Sequence, residues 1–164
     1  DGFYDPKVPP QKGLSAARAL AMITYRSPQN YEHKFRRDFN RNKDQFEVES
    51  YLDHQGEKLS SRFDANTYIT LTKAMDSHDV SRNRGSFREA LGSLTIPCLI
   101  LGIDSDLLYP IAEQQELSEL IPDSEFNQIH SDYGHDAFLI EFEQINKNLI
   151  PFYHSTKSLY EHHT

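Results

Sequence analysis

One cysteine, two methionines and no tryptophan occur in the 164 residues of this chain. A lone thiol, Cys98, excludes an internal disulfide framework and points to a reducing, cytoplasmic setting. No apolar run approaches the roughly 20 residues of a membrane span, and the opening stretch DGFYDPKVPP does not have the shape of a signal peptide. Internal repeats and low-complexity tracts are absent. Basic residues are in the minority, 17 Lys and Arg against 25 Asp and Glu, for a formal net charge of −8. Such a surface attracts neither nucleic acid nor anionic membrane. It still leaves room for a small anion held by one or two well-placed arginines. His54, and His78 with Asp79, lack a compact ligand cluster, so structural polar contacts and no metal are expected of them. Also missing is a G-x-S-x-G string, which would seat a nucleophilic serine on a tight strand-to-helix turn.

What is present is globular in composition: 37% hydrophobic, 26% charged, with ten Phe and nine Tyr. The length suffices for one domain with a real core. The texture changes near Arg84 and Gly85. Before that point the chain reads as helices, predicted over residues 14–26, over 46–63 with Gly56 as a weak point, and after Asp64 as N-cap. In the last of these Tyr68, Leu71 and Met75 recur at helical spacing. The first helix should stop at Ser27-Pro28, because the residue before a proline resists helix. The basic string FRRDFNRNKDQ, with Arg36, Arg37, Arg41 and Lys43, reads as an exposed loop.

After Gly85 helix and strand alternate. Ser86 and Glu89 form an S-x-x-E capping box ahead of a short helix. CLILGI, with Cys98 inside it, reads as a strand buried on both faces of a parallel sheet. Pro110 suits the first turn of the next helix, which stops at Pro122. A weaker strand over 125–130 and a final helix carrying Phe142, Ile145 and Leu149 complete the pattern. This is the grammar of an α/β fold.

Working residues of open α/β sheets sit just past the carboxyl ends of strands. Two segments fall there: Asp104-Ser105-Asp106-Leu107-Leu108-Tyr109-Pro110 and Ser131-Asp132-Tyr133-Gly134-His135-Asp136. An acid after one strand and a His after the next are the last two members of a Ser…Asp…His triad in hydrolase order. The Asp fixes the imidazole tautomer and the His shuttles the proton. Taken singly, each would be an ordinary turn residue; the pair, in order, carries the reading. Asp104 is the nearer to its strand and suits the turn, whereas Asp106 reaches further towards a pocket. Ser15 in GLSAA follows a loop rather than a buried strand, so it is rejected as nucleophile. The serine is expected upstream of Asp1.

The strings GLSAARALAMITYRS, FEVESYLDHQGEKLSSRFDANTYITLTKAMDSHDV, GIDSDLLYP and YGHDAFLIE resemble the homoserine O-acetyltransferase family in the same order, over residues 13–141. The resemblance implies the carboxyl-terminal portion of an α/β-hydrolase fold with an inserted helical lid. It divides the chain into a leading loop at 1–12, a lid at 13–84, the distal hydrolase core at 85–154 and a tail at 155–164. It implies homoserine and acyl-CoA as substrates, with acetyl-CoA as co-substrate and no bound cofactor. An acyl group would pass through a serine supplied by the amino-terminal half of the enzyme, in methionine biosynthesis. By motif, Asp106 and His135 correspond to the family's catalytic Asp and His, and Asp136 to the carboxylate that receives the substrate's amino group. Arg18 and Tyr25 correspond to its amino-acid-binding Arg and Tyr; seven residues apart on a helix, they project from one face. Without the family, Arg18 would be a solvated or ion-paired helix residue. A homodimer through the lid is a further implication. Homoserine O-succinyltransferase, a serine O-acyltransferase, an ester hydrolase and a non-catalytic binding or dimerisation module are the alternative readings. Asp106, rather than Asp104, is expected within hydrogen-bond reach of His135.

Overall fold

A computed structural model describes residues 2–161, with the backbone alone for 158–161. The chain packs as two units. One comprises the residues up to Thr24 together with Tyr31–Asp79; the other comprises Tyr25–Asn30 and the chain from Val80 onward. The second unit thus takes a short piece of the region expected to be lid, and begins a few residues before the expected boundary at 84.

Helix α1 (Gln11–Tyr25) starts just after Pro9-Pro10 and buries Leu14 and Met22. The Ser27-Pro28 step ends it as expected, but also starts α2 (Pro28–Phe35), which the sequence reading did not anticipate. The Ser27 hydroxyl accepts from the Asn30 amide at 3.1 Å, as an N-cap does, and Pro28 takes the first helical position, where its missing N–H costs nothing. The expected loop after α2 contains a small antiparallel hairpin, β1 (Phe39–Asn40) with β2 (Gln45–Phe46). Asn40 Oδ1 accepts from the amides of Asn42 and Lys43, and Asp44 turns the chain with φ 53°. The Phe39 and Phe46 rings meet edge-on across the hairpin, 5.3 Å apart.

Helix α3 (Glu47–Ser60) buries Ser50, Gly56 and Leu59. Gly56 is where α3 meets α1: a Cβ there would stand 2.7 Å from the Ser15 carbonyl oxygen. The glycine that weakens the helix on propensity is what lets two backbones approach. Asp64 caps α4 (Ala65–Asp76), accepting from the Thr67 amide at 2.8 Å. Helix α4 buries no residue and leaves Ile69, Leu71 and Met75 exposed.

In the second unit the Ser86–Glu89 box opens α5 (Phe87–Gly92), with Glu89 accepting from the Ser86 amide at 2.7 Å and Ser86 from the Glu89 amide at 3.2 Å. Strand β3 (Cys98–Ile103), helix α6 (Ile111–Leu120) and strand β4 (Ser124–Ile129) follow. The strands pair in parallel, from Cys98 opposite Ser124 to Ile103 opposite Ile129. Leu91, Leu120 and Ile121 form the buried core, with Leu94, Cys98, Ile100 and Leu117 against it. β3 was expected to be buried on both faces; it is mostly half-buried, because β4 is its one ladder partner among the described residues. Cys98 is accordingly a half-buried thiol rather than a buried one. Helix α7 (Phe142–Glu161) runs on through Pro151 and past the expected end of the core at 154, so part of the expected tail is helical.

Gly56→Ala should destabilise the protein by about 1–3 kcal/mol despite alanine's better helix propensity, because the new methyl meets backbone that cannot move aside. Gly13→Ala, where a Cβ meets nothing within 4 Å, should stabilise it by up to about 1 kcal/mol. Urea unfolding of both variants checks this. Equal stabilisation by the two changes would contradict the close approach of α1 and α3.

Candidate active site

Because β3 and β4 end level with each other, the loops that follow them run side by side. Backbone bonds tie the two together: the Asp104 amide donates to the Ile129 carbonyl at 3.1 Å. The Ser105 hydroxyl donates to the Ser131 carbonyl and accepts from the Gly134 amide.

The two neighbouring aspartates divide the work. Asp104 holds the second loop: its carboxylate accepts from the Ser131 amide at 3.1 Å and meets His130 Nδ1 at 2.8 Å. Burial pushes its pKa up. The bonds from Ser131, His130 and Gln128, with the charge of His130, outweigh that and hold it below the ordinary value. Asp106 points elsewhere. Only 8% exposed, it accepts from the Leu108 and Tyr109 amides at 2.8 and 3.1 Å through Oδ1. Its Oδ2 lies 2.9 Å from His135 Nδ1. An ionised carboxylate only accepts, so Nδ1 carries the hydrogen of this bond, and in the neutral imidazole the lone pair is then on Nε2, the tautomer a general base requires. Asp106, not Asp104, is the carboxylate bonded to His135.

His135 stands in a 3₁₀ turn, Gly134–Leu139, that the sequence did not announce. Three rings surround its imidazole: Tyr109, Phe138 and Tyr25, with centroids at 5.3, 5.4 and 5.5 Å. A cavity of about 180 Å³ opens beside it, lined by Leu101, Ile103, Asp106, Tyr109, Gln114 and Phe138 as well as His135. Asp136 lies beside Arg26, whose Nε is 3.4 Å from its Oδ2.

Tyr25, Asp106, His135 and Asp136 are therefore brought together within one unit. Arg18 is on α1 in the other unit. Residues that the sequence reading passed over also reach this loop. Ser27, 1% exposed, donates its hydroxyl to the Asp132 carbonyl. Gly134, with φ 65°, lies so close that a Cβ would stand 2.7 Å from the Ser27 amide nitrogen. The positive φ strains most L-residues, and the close approach to backbone leaves no room even for a methyl group. Ser15 sits within α1, not on a strand-to-helix turn. Among the described residues no group of three His, Cys, Asp or Glu gathers as a metal cluster. Nor is any helix long and apolar enough to cross a membrane.

No protein-family model matches the chain. Curated relatives do. The homoserine O-acetyltransferase of Chlorobaculum tepidum is 55% identical over 152 residues, which is 93% of this chain and 42% of the relative. That of Trichormus variabilis is 50% identical over 92% of this chain and 42% of its own length. The chain is a homologue of the carboxyl-terminal part of the homoserine O-acetyltransferases. It spans about two fifths of the length of these relatives. Among solved structures, the homoserine O-acetyltransferase from Bacillus anthracis superposes with a TM-score of 0.81 at 22% identity, over 90% of this chain and 42% of that one. Esterase E22 follows at 0.79 and 17%, over 91% and 44%. At that identity the likeness shows the fold, which is the carboxyl-terminal portion of an α/β hydrolase.

Of the acids Asp104 and Asp106, two residues apart, only Asp106 is bonded to His135; Asp104 is bonded to His130. Asp104 should be visible as a pH effect on stability. A folded-state pKa below the ordinary aspartate value of about 4 means stability that is present above that value. It is lost as the pH falls through the lower folded value. Asp104→Asn should remove this part of the acid limb of a stability-versus-pH curve while leaving the neutral-pH fold intact. Unchanged acid dependence of the urea midpoint between pH 2 and 5 would rule it out.

Proposed function

We propose that this chain forms the carboxyl-terminal part of a homoserine O-acetyltransferase, contributing Asp106 and His135 to its catalytic triad and Tyr25 and Asp136 to its amino-acid pocket. The observation that carries the reading is the Asp106–His135 hydrogen bond at 2.9 Å in a chain 55% identical to a homoserine O-acetyltransferase. Arg18 joins the pocket on the sequence resemblance alone. The nucleophilic serine and the oxyanion donors come from an amino-terminal part.

In the first half-reaction His135 Nε2 takes the serine proton as the serine oxygen attacks the thioester carbonyl of acetyl-CoA. The imidazolium, stabilised by Asp106, returns that proton to the departing thiolate, leaving acetyl-serine and free CoA. In the second, the homoserine hydroxyl loses its proton to His135 and attacks the acetyl group. O-acetylhomoserine leaves, and the serine oxygen regains the proton. Asp136 faces the ammonium of homoserine and Arg18 its carboxylate, a bidentate pairing that a guanidinium fork suits. The enzyme is a cytoplasmic homodimer; the exposed Leu71 and Met75, one turn apart on α4, supply an apolar strip that supports association through the lid.

Two measurements test the reading. Purified by itself, the 164-residue chain should transfer no acetyl group from acetyl-CoA to homoserine, and activity should require the amino-terminal part. Turnover by the chain alone would mean a nucleophile lies within it. In the complete enzyme, Arg18→Ala should lower kcat/KM for homoserine by about 30- to 1,000-fold and leave the burst of acyl-enzyme formation intact, since the guanidinium meets its carboxylate only in the second half-reaction. Asp106→Asn should depress both half-reactions, by about 10³-fold or more. An equal fall in both half-reactions for Arg18→Ala would make Arg18 a structural residue of the lid.

A further inference from the structure

Asp136 is not alone. Its carboxylate and the Arg26 guanidinium are both largely covered, with side chains 20% and 18% exposed, and Arg26 Nε stands 3.4 Å from Asp136 Oδ2. At that distance the contact is ionic rather than a formed hydrogen bond. The guanidinium is itself aimed: Nη1 donates to Asn30 Oδ1 at 2.9 Å. Asn30 is buried, and its amide donates to the Ser27 hydroxyl at 3.1 Å. Ser27 in turn donates to the carbonyl of Asp132, in the loop that carries His135 and Asp136. The turn between α1 and α2 thus clasps this loop from residues 105 positions away in sequence. Gly134 is the point of closest approach, with room for no side chain against Arg26 and Ser27.

We propose that Arg26 is a positioning residue for the acceptor amino acid. By holding Oδ2 of Asp136 it fixes the carboxylate in one orientation and leaves Oδ1, which has no ionic partner among the described residues, to take the substrate ammonium. The proposal rests on the amino-acid reading of Asp136 given above. Its physical content is preorganisation: a carboxylate already held by an aimed guanidinium does not have to be immobilised when the ammonium arrives. It also explains why a cation sits beside a group whose task is to bind a cation. Without Arg26, a mostly buried carboxylate would be left uncompensated and free to turn.

The test uses the complete enzyme and two acceptors, homoserine and 4-hydroxybutanoate, which keeps the hydroxyl and carboxylate but lacks the amine. Arg26→Gln should raise the homoserine KM by about tenfold or more. It should leave the acyl-enzyme burst and the use of 4-hydroxybutanoate at their original rates. Arg26→Lys should recover part of the loss, because a charge remains without the fork. Asn30→Ala, which removes the bond that aims the guanidinium, should give a smaller shift of the same kind. It keeps the test open if Arg26→Gln lowers Tm so far that the enzyme does not fold. An unchanged or lower homoserine KM in Arg26→Gln, or equal losses with both acceptors, would overturn the proposal; so would a folded Asn30→Ala enzyme with no homoserine-selective effect where Arg26→Gln cannot be assayed. Asp136→Asn separates the two levels. If it selectively impairs homoserine while Arg26→Gln does not, the positioning role fails and the Asp136 reading stands. If it too treats both acceptors alike, the Asp136 reading itself falls.

Discussion

The parallel ladder between β3 and β4 pairs Cys98 with Ser124 at one end and Ile103 with Ile129 at the other, and so brings the two strands to a common level. The loops that leave from that level carry the aspartates and the histidine. A slip of one residue would shift the two loops by about 3.3 Å and turn every side chain of one strand to the opposite face. A 2.9 Å bond between Asp106 and His135 does not survive such a displacement. Register is therefore the condition for the site's geometry, and it is held by apolar packing around the sheet through Leu91, Leu120 and Ile121.

Two aspartates separated by a single serine serve different masters because the chain leaves β3 after Ile103 and turns between them, the Asp106 amide donating back to the Ile103 carbonyl at 3.2 Å. Asp104 turns to the neighbouring loop and holds it through Ser131 and His130. Asp106, beyond the turn, uses one oxygen on the local amides of Leu108 and Tyr109 and keeps the other for His135. One oxygen restrains the side chain while the other acts, which fixes the carboxylate's rotamer as well as its charge. The buried Asp106 carboxylate is thus oriented by hydrogen bonds from the protein itself. Beside it, Arg26 lies against one oxygen of Asp136 in an ionic contact at 3.4 Å.

Local chemistry was legible in the sequence wherever a few neighbouring residues decide the outcome. The Ser86–Glu89 box and the Asp64 cap act over three residues, and both are present as read. The strand at CLILGI and the helix after Pro110 follow from apolar runs bounded by proline and turn residues. Ser27-Pro28 was half understood: the same serine and proline that stop one helix start another, and a reading that looks only for an end misses the beginning. The burial of β3 was overstated because an apolar run records which residues seek cover, not how much of it the pairing in hand provides.

By itself, the sequence determined the types of most elements, the order of the acid and the histidine along the chain, and the resemblance in four strings that the relatives bear out at 55% identity. Those are properties of residues close together, or of the string as such. The resemblance also pointed to Asp106 over Asp104, and the tertiary structure bonds Asp106 to His135. Only the tertiary structure seated Tyr25 beside His135, and joined Arg26 to Asp136 and Ser27 to Asp132. The Ser27 bond spans 105 positions of chain. No periodicity or capping rule reaches that far, because the partners of such a bond are chosen by how the strands and helices close on each other. Neither residue's immediate neighbours prefer that choice.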